Sequence, residues 1–144
     1  MEKLAALCCL WANGLGTKED YYTELDRLFL LSPEDDFLLE LEDLGGDCAA
    51  AWKRIASTAQ TETDIDKFGS ELFAALEKVY SENRFALKEF GERCYKMWNC
   101  FPAGFRNDDP FFVLCYADDP LSWGDEKQTR ELYQKAFDHY KEKP

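Results

Sequence analysis

From Thr63 to Phe101 runs the longest unbroken helical periodicity in the chain. Ile65, Phe68, Leu72, Leu76 and Val79 recur at steps of three and four, and Phe73 and Tyr80 widen the same stripe. The stripe resumes with Leu87, Phe90, Cys94, Met97 and Trp98, flanked by Ala86 and Phe101, and only Ser81-Glu82-Asn83 separates the two faces. One straight helix over the whole stretch would be about 55 Å long, more than a compact domain of this size spans. The spacing therefore predicts two antiparallel helices around a turn near Asn83, with a helix running through 81–83 as the alternative. Thr63 or Asp64 is placed to cap the first of them. Aromatic residues at helical spacing are ordinary core packing, so these rings are read as core rather than as a cofactor box.

With 144 residues, 46% hydrophobic and 15% aromatic, the chain has enough apolar surface to build a core without staples. Its five prolines and eight glycines fall mostly between periodic segments. These features predict an all-α fold: one domain over 1–144, a bundle of six to seven helices, with one irregular, Pro-containing segment at about 102–124 before the last helix.

The remaining elements follow in chain order. Residues 1–12 form an apolar run ending at Asn13-Gly14, read as a buried first helix rather than a secretory leader, because Glu2 sits beside Lys3 and no small-residue cleavage pattern follows. Thr17 opens a second helix with Asp20 three residues on, and Tyr21 or Tyr22, Leu25, Leu28 and Phe29 line it. Ser32-Pro33 is expected to end that helix and start a third, lined by Phe37, Leu38, Leu41 and Leu44 and stopped by Gly45-Gly46. Asp47 caps a fourth, with Cys48, Ala51, Trp52, Ile55 and Ala59 on one side, and 58–63 reads as a polar connection. Phe111 to Tyr116 reads as a short buried strand in preference to a helical turn. The two Asp-Asp-Pro steps, at 108–110 and 118–120, read as turns. The last helix runs from about Asp125 to Lys141, with Leu132, Tyr133, Ala136, Phe137 and Tyr140 inside and Lys135, Lys141 and Lys143 toward its C-terminal end.

The formal net charge is −12. Phosphate binding depends on clustered Lys and Arg, so neither nucleic acid nor an anionic membrane is expected as a partner, and no run reaches the roughly 20 apolar residues of a membrane span. Six cysteines without a CxxC pair, set mainly in apolar segments, point to free thiols in a reducing, cytoplasmic setting. A single histidine, His139, on a lysine-flanked tail gives neither a zinc site nor a catalytic base. No cofactor is expected.

Charge is concentrated. Residues 17–47 hold eleven acidic side chains against Lys18 and Arg27, a local net of −9. In the third helix Asp36, Glu40 and Asp43 fall on one stripe opposite the leucines. Like charges at that spacing cost an isolated helix about 0.2 to 0.5 kcal/mol per pair, and the helix dipole accounts for Asp36 but not for Asp43. The primary expectation is a small, acidic, non-enzymatic protein-binding domain. It docks through this hairpin, at Tyr21, Tyr22, Asp36, Glu40 and Asp43, onto a basic partner protein, as an inhibitor or immunity-type protein does. Two alternatives stand beside it: an accessory subunit of a larger assembly, and a magnesium-dependent enzyme like the all-helical nucleotide pyrophosphohydrolases. The enzyme would require Glu40, Asp43, Glu89 and Glu92, two pairs at i,i+3, to converge on one cation.

Overall fold

The structure, a computed structural model, describes residues 1–62 and 64–141, with side chains described throughout these except at 59–62. Among the described residues it is all-α, with eight α-helices, one 3-10 turn and no strand. The side chain of Ala59, and Thr63 and Lys143, each given a role above, lie outside what is described.

Helix α1 (Glu2–Ala12) is the centre of the packing. Leu4, Cys8 and Cys9 are wholly buried, and α2 (Lys18–Leu31), α4 (Cys48–Glu62) and α5 (Ile65–Ser81) surround it. Apolar on nearly all sides, α1 is the buried kind of helix. It ends at Asn13, whose Nδ2 donates to Cys9 O at 2.8 Å, and at Gly14, whose φ of 73° suits a residue without Cβ. Thr17 caps α2 by accepting from Asp20 N at 3.1 Å. Helix α3 (Asp36–Asp43) starts later than Ser32-Pro33 would suggest. Asp35 is its cap, accepting from Phe37 N and Leu38 N, and Pro33 lies in the preceding turn. Asp47 caps α4 through Ala50 N. That helix continues to Glu62, through the stretch read as a polar connection, since no Gly or Pro stops it there.

Asp64 caps α5, accepting from Asp66 N and Lys67 N, and α6 spans Leu87–Asn99. The turn between them is real: Asn83 has φ 53°, a left-handed conformation that Asn tolerates. The two helices run antiparallel. Tyr80 at the end of α5 meets Phe90 near the start of α6 at 5.3 Å, and Phe68 at the start of α5 meets Phe101 just past the end of α6 at 6.3 Å.

Phe111 to Tyr116 is not a strand. It holds a short helix, α7 (Val113–Tyr116), burying Val113 and Leu114, and among the described residues there is no strand beside it to take up an extended backbone's hydrogen bonds. A 3-10 turn (Asp119–Trp123) follows, and α8 (Glu126–Asp138), capped by Asp125, closes the bundle with Tyr133, Ala136 and Phe137 inside. The irregular segment is tied down by side chains: Trp52 Nε1 donates to Cys100 O at 3.2 Å and Trp98 Nε1 to Arg106 O at 2.8 Å. No described helix is long and apolar enough to cross a membrane, and all six cysteines are free.

Candidate functional site

In the hairpin α2–α3, α2 packs on α1 with Tyr21 and Leu25 buried, and α3 packs on α2 with Leu38 and Leu41 buried. Tyr21 is fully buried, stacked on Trp11 at 5.1 Å, with no hydrogen bond to its hydroxyl. Burial pushes that hydroxyl well above the usual tyrosine range. Tyr21 therefore belongs to the core, not to a docking face, and this corrects its place in the expected site. Tyr22 is half-buried beside it, and its hydroxyl donates to Gly45 O, stapling α2 to the end of α3. Lys18 Nζ lies 5.5 Å from the Tyr22 ring.

Asp36, Glu40 and Asp43 are exposed, as their stripe requires. Glu40 accepts from Arg54 of α4 at 2.9 Å, and the same guanidinium covers the Phe37 ring at 4.8 Å, which locks α3 against α4. Asp36 and Asp43 make no ion pair among the described residues. Glu24 is the exception to the hairpin's outward acids. It is 4% exposed and clasped by Arg27 through two bonds of 2.7 Å, and that grip holds its carboxyl below the usual range against the opposing effect of burial.

Three side chains that periodicity did not single out complete this surface. Leu30 is 86% exposed, Leu31 69% and Leu39 45%, on either side of the turn that joins α2 to α3. Here α2 outruns the body it packs on, so its last turn carries them into solvent.

The four carboxylates of the enzyme alternative do not come together. Glu40 is held by Arg54, while Glu89 accepts from Arg93 at 2.8 Å, whose Nη1 also donates to Gly14 O at 3.1 Å. Glu92 instead faces a cleft between α6, the 3-10 turn and α8. Among the described residues no three His, Cys, Asp or Glu side chains converge where they could hold a metal ion. Spacing by i,i+3 aligns a pair within one helix but leaves open where that helix points. Here α3 packs on α2 and α6 on α7.

The cleft that Glu92 faces has a volume of about 720 Å³, with Leu87 and Leu121 in its wall and the carboxylates of Asp118 and Asp119 beside Glu92. Burial, then the charges of Asp119 and Glu92, push the Asp118 carboxyl above the usual range. His139 stands half-buried at the end of α8, edge-on to Tyr140 at 4.8 Å.

No family model, curated protein or solved structure matches this chain.

Proposed function

We propose that this is a small non-enzymatic binding protein whose α2–α3 hairpin docks on a basic surface of a partner protein, in the manner of an inhibitor or immunity protein. The observation that carries the reading is the pairing of apolar and acidic groups at the hairpin. Leu30, Leu31 and Leu39 stand exposed, and Asp36 and Asp43 nearby have no counter-ion among the described residues. Exposed leucines supply contact area, each adding about 1.5 to 3 kcal/mol when fully buried, before the cost of association is subtracted. Uncompensated acids speed the encounter with a cationic face and repel acidic competitors. Glu40, already engaged by Arg54, acts by fixing α3 rather than by direct contact. Free cysteines suit a reducing compartment, which supports a cytoplasmic location.

The test is affinity capture from the source cell's lysate at low and moderate salt with three forms of the chain. These are the wild type, the combined Asp36→Asn, Glu40→Gln and Asp43→Asn variant, and the combined Leu30→Ser and Leu31→Ser variant. A basic protein retained at low salt, released at moderate salt and lost with both variants is the expected result. The captured protein is then purified, and its association rate should fall roughly tenfold or more with the charge variant at low salt. An unchanged rate with both variants overturns the reading.

A further inference from the structure

Where α6 meets the segment that follows it, four aromatic side chains form a row at the surface. Tyr95 and Trp98 stand one turn apart on α6 with their rings stacked at 6.0 Å, Trp98 meets Phe112 at 6.3 Å, and Phe112 meets Tyr116 at 5.4 Å. Tyr95 and Phe112 are exposed, and Trp98 and Tyr116 are half-buried beside them. Contiguous exposed apolar surface of this kind marks a contact site more often than a stray surface ring does.

Arg106 completes the row. Its guanidinium covers the Trp98 ring at 4.9 Å, and its backbone carbonyl accepts from Trp98 Nε1 at 2.8 Å. Five of the six arginines hold a carboxylate. Arg106 holds none among the described residues, in a chain of net charge −12, and its buried Nε has no acceptor. Buried donors are rarely left unmade. The hydroxyls of Tyr95 and Tyr116 also have no partner among the described residues. These five side chains therefore offer flat apolar faces and unused donors, and their only charge is positive.

We propose that this row is a docking surface for an extended, proline-rich segment of a partner protein, its pyrrolidine rings packed on Tyr95, Trp98 and Phe112 and an acidic side chain paired with Arg106. The unused donors select this occupant. A polyproline II segment makes no internal hydrogen bonds, so its carbonyls are free to accept from Tyr95 and Tyr116. A helical ligand has satisfied its own carbonyls and leaves those hydroxyls unmade. Strand addition needs a free sheet edge, and no strand is present among the described residues. Single-stranded nucleic acid would stack on the same rings, but a lone guanidinium on a strongly acidic chain gives its phosphates no basic groove to follow. The surface is built from α6 and the segment after it, and it is independent of the α2–α3 hairpin.

The test is titration calorimetry of the full chain with end-capped decaproline peptides in which a single Glu takes each position in turn. The same series carrying Gln, an alanine-rich helical peptide with one Glu, and oligothymidylate are run beside it. At least one Glu peptide should bind saturably and roughly three- to tenfold more tightly than its Gln counterpart. The Trp98 indole resonance should shift on binding, while that of Trp11, stacked on Tyr21, stays in place. Tyr95→Ala and Phe112→Ala, both at exposed positions, should each weaken binding roughly tenfold. Arg106→Gln should erase the preference for Glu over Gln and leave the Gln peptides' affinity as it was, and Arg106→Lys should restore part of the preference. The combined Leu30→Ser and Leu31→Ser variant should bind as the wild type does. Equal weakening by that variant would place the peptide on the hairpin and overturn the proposal. No saturable binding of any proline-rich peptide overturns it too, as does equal binding of the helical peptide. Tighter binding of oligothymidylate overturns it in favour of base stacking.

Discussion

Tyr21 and Tyr22 are neighbours in the chain with opposite fates. Tyr22 keeps its hydroxyl on a carbonyl, whereas Tyr21 carries a buried hydroxyl with no partner. Leaving a buried donor unmade costs free energy, so Tyr21→Phe should be neutral or up to about 1 kcal/mol more stable in urea unfolding. It should also leave partner association unchanged, because the ring is inside. A clear loss of stability would mean that the hydroxyl has a partner after all. Glu24 makes the reverse case. Its sequence position resembles the other acids of the hairpin, yet it is buried and satisfied by Arg27, and nothing in the local spacing marks it.

At the level of elements, α6, the 3-10 turn and α8 form a contact at odds with its own charge. Asp118 faces Glu92 on α6 and Asp119 on its own turn, with Lys88 and Arg130 lining the same cleft and Cys94 buried close by. Its carboxyl is raised in the folded state, so the folded chain holds the proton more tightly than the unfolded one does. Below the unfolded value of about 4, both states are protonated and no penalty exists. The penalty develops as pH climbs from the unfolded value through the folded one, and it is fully present above the folded value. Asp118→Asn should therefore melt higher than the wild type at pH 7, and the gap should close as the pH is brought down to about 4. A gap independent of pH would show that charge is not its cause.

Across the whole molecule, the irregular segment after α6 contributes to the core as fully as the helices do. Phe111 is 1% exposed and meets Phe105 at 4.7 Å, Phe101 at 5.5 Å, Phe73 at 5.6 Å and Phe68 at 6.0 Å. It joins the start of α5 to everything that follows α6. Phe111→Ala should cost about 3 to 5 kcal/mol in urea unfolding. A cost below about 1 kcal/mol would show that 100–112 is an appendage rather than part of the core. The acidic hairpin and the Asp118 cleft lie on different elements of this body, so changes at one should add to changes at the other with little interaction.

Much of the helix pattern was legible from local residues alone: Thr17 and Asp47 cap where side-chain chemistry put them, Asp64 is one of the two caps expected for α5, the last helix begins next to Asp125, and Asn83 turns the chain between α5 and α6, whereas Asp35 rather than Ser32 caps α3. These are short-range effects, decided within a few residues along the chain. What periodicity cannot carry is the placement of one helix against another. The long α5–α6 pair is the strongest signal in the sequence, yet the short α1 is the helix the others surround. Nothing in the local pattern marks Leu30 and Leu31 as exposed, and Phe111 to Tyr116 reads as a strand although no strand is present among the described residues to pair with it. Glu40-x-x-Asp43 and Glu89-x-x-Glu92 share a spacing but not a location. Only the tertiary structure brought Glu92, Asp118 and Asp119 to one cleft, because that meeting depends on contacts between residues far apart in the chain, and these leave no mark on local pattern.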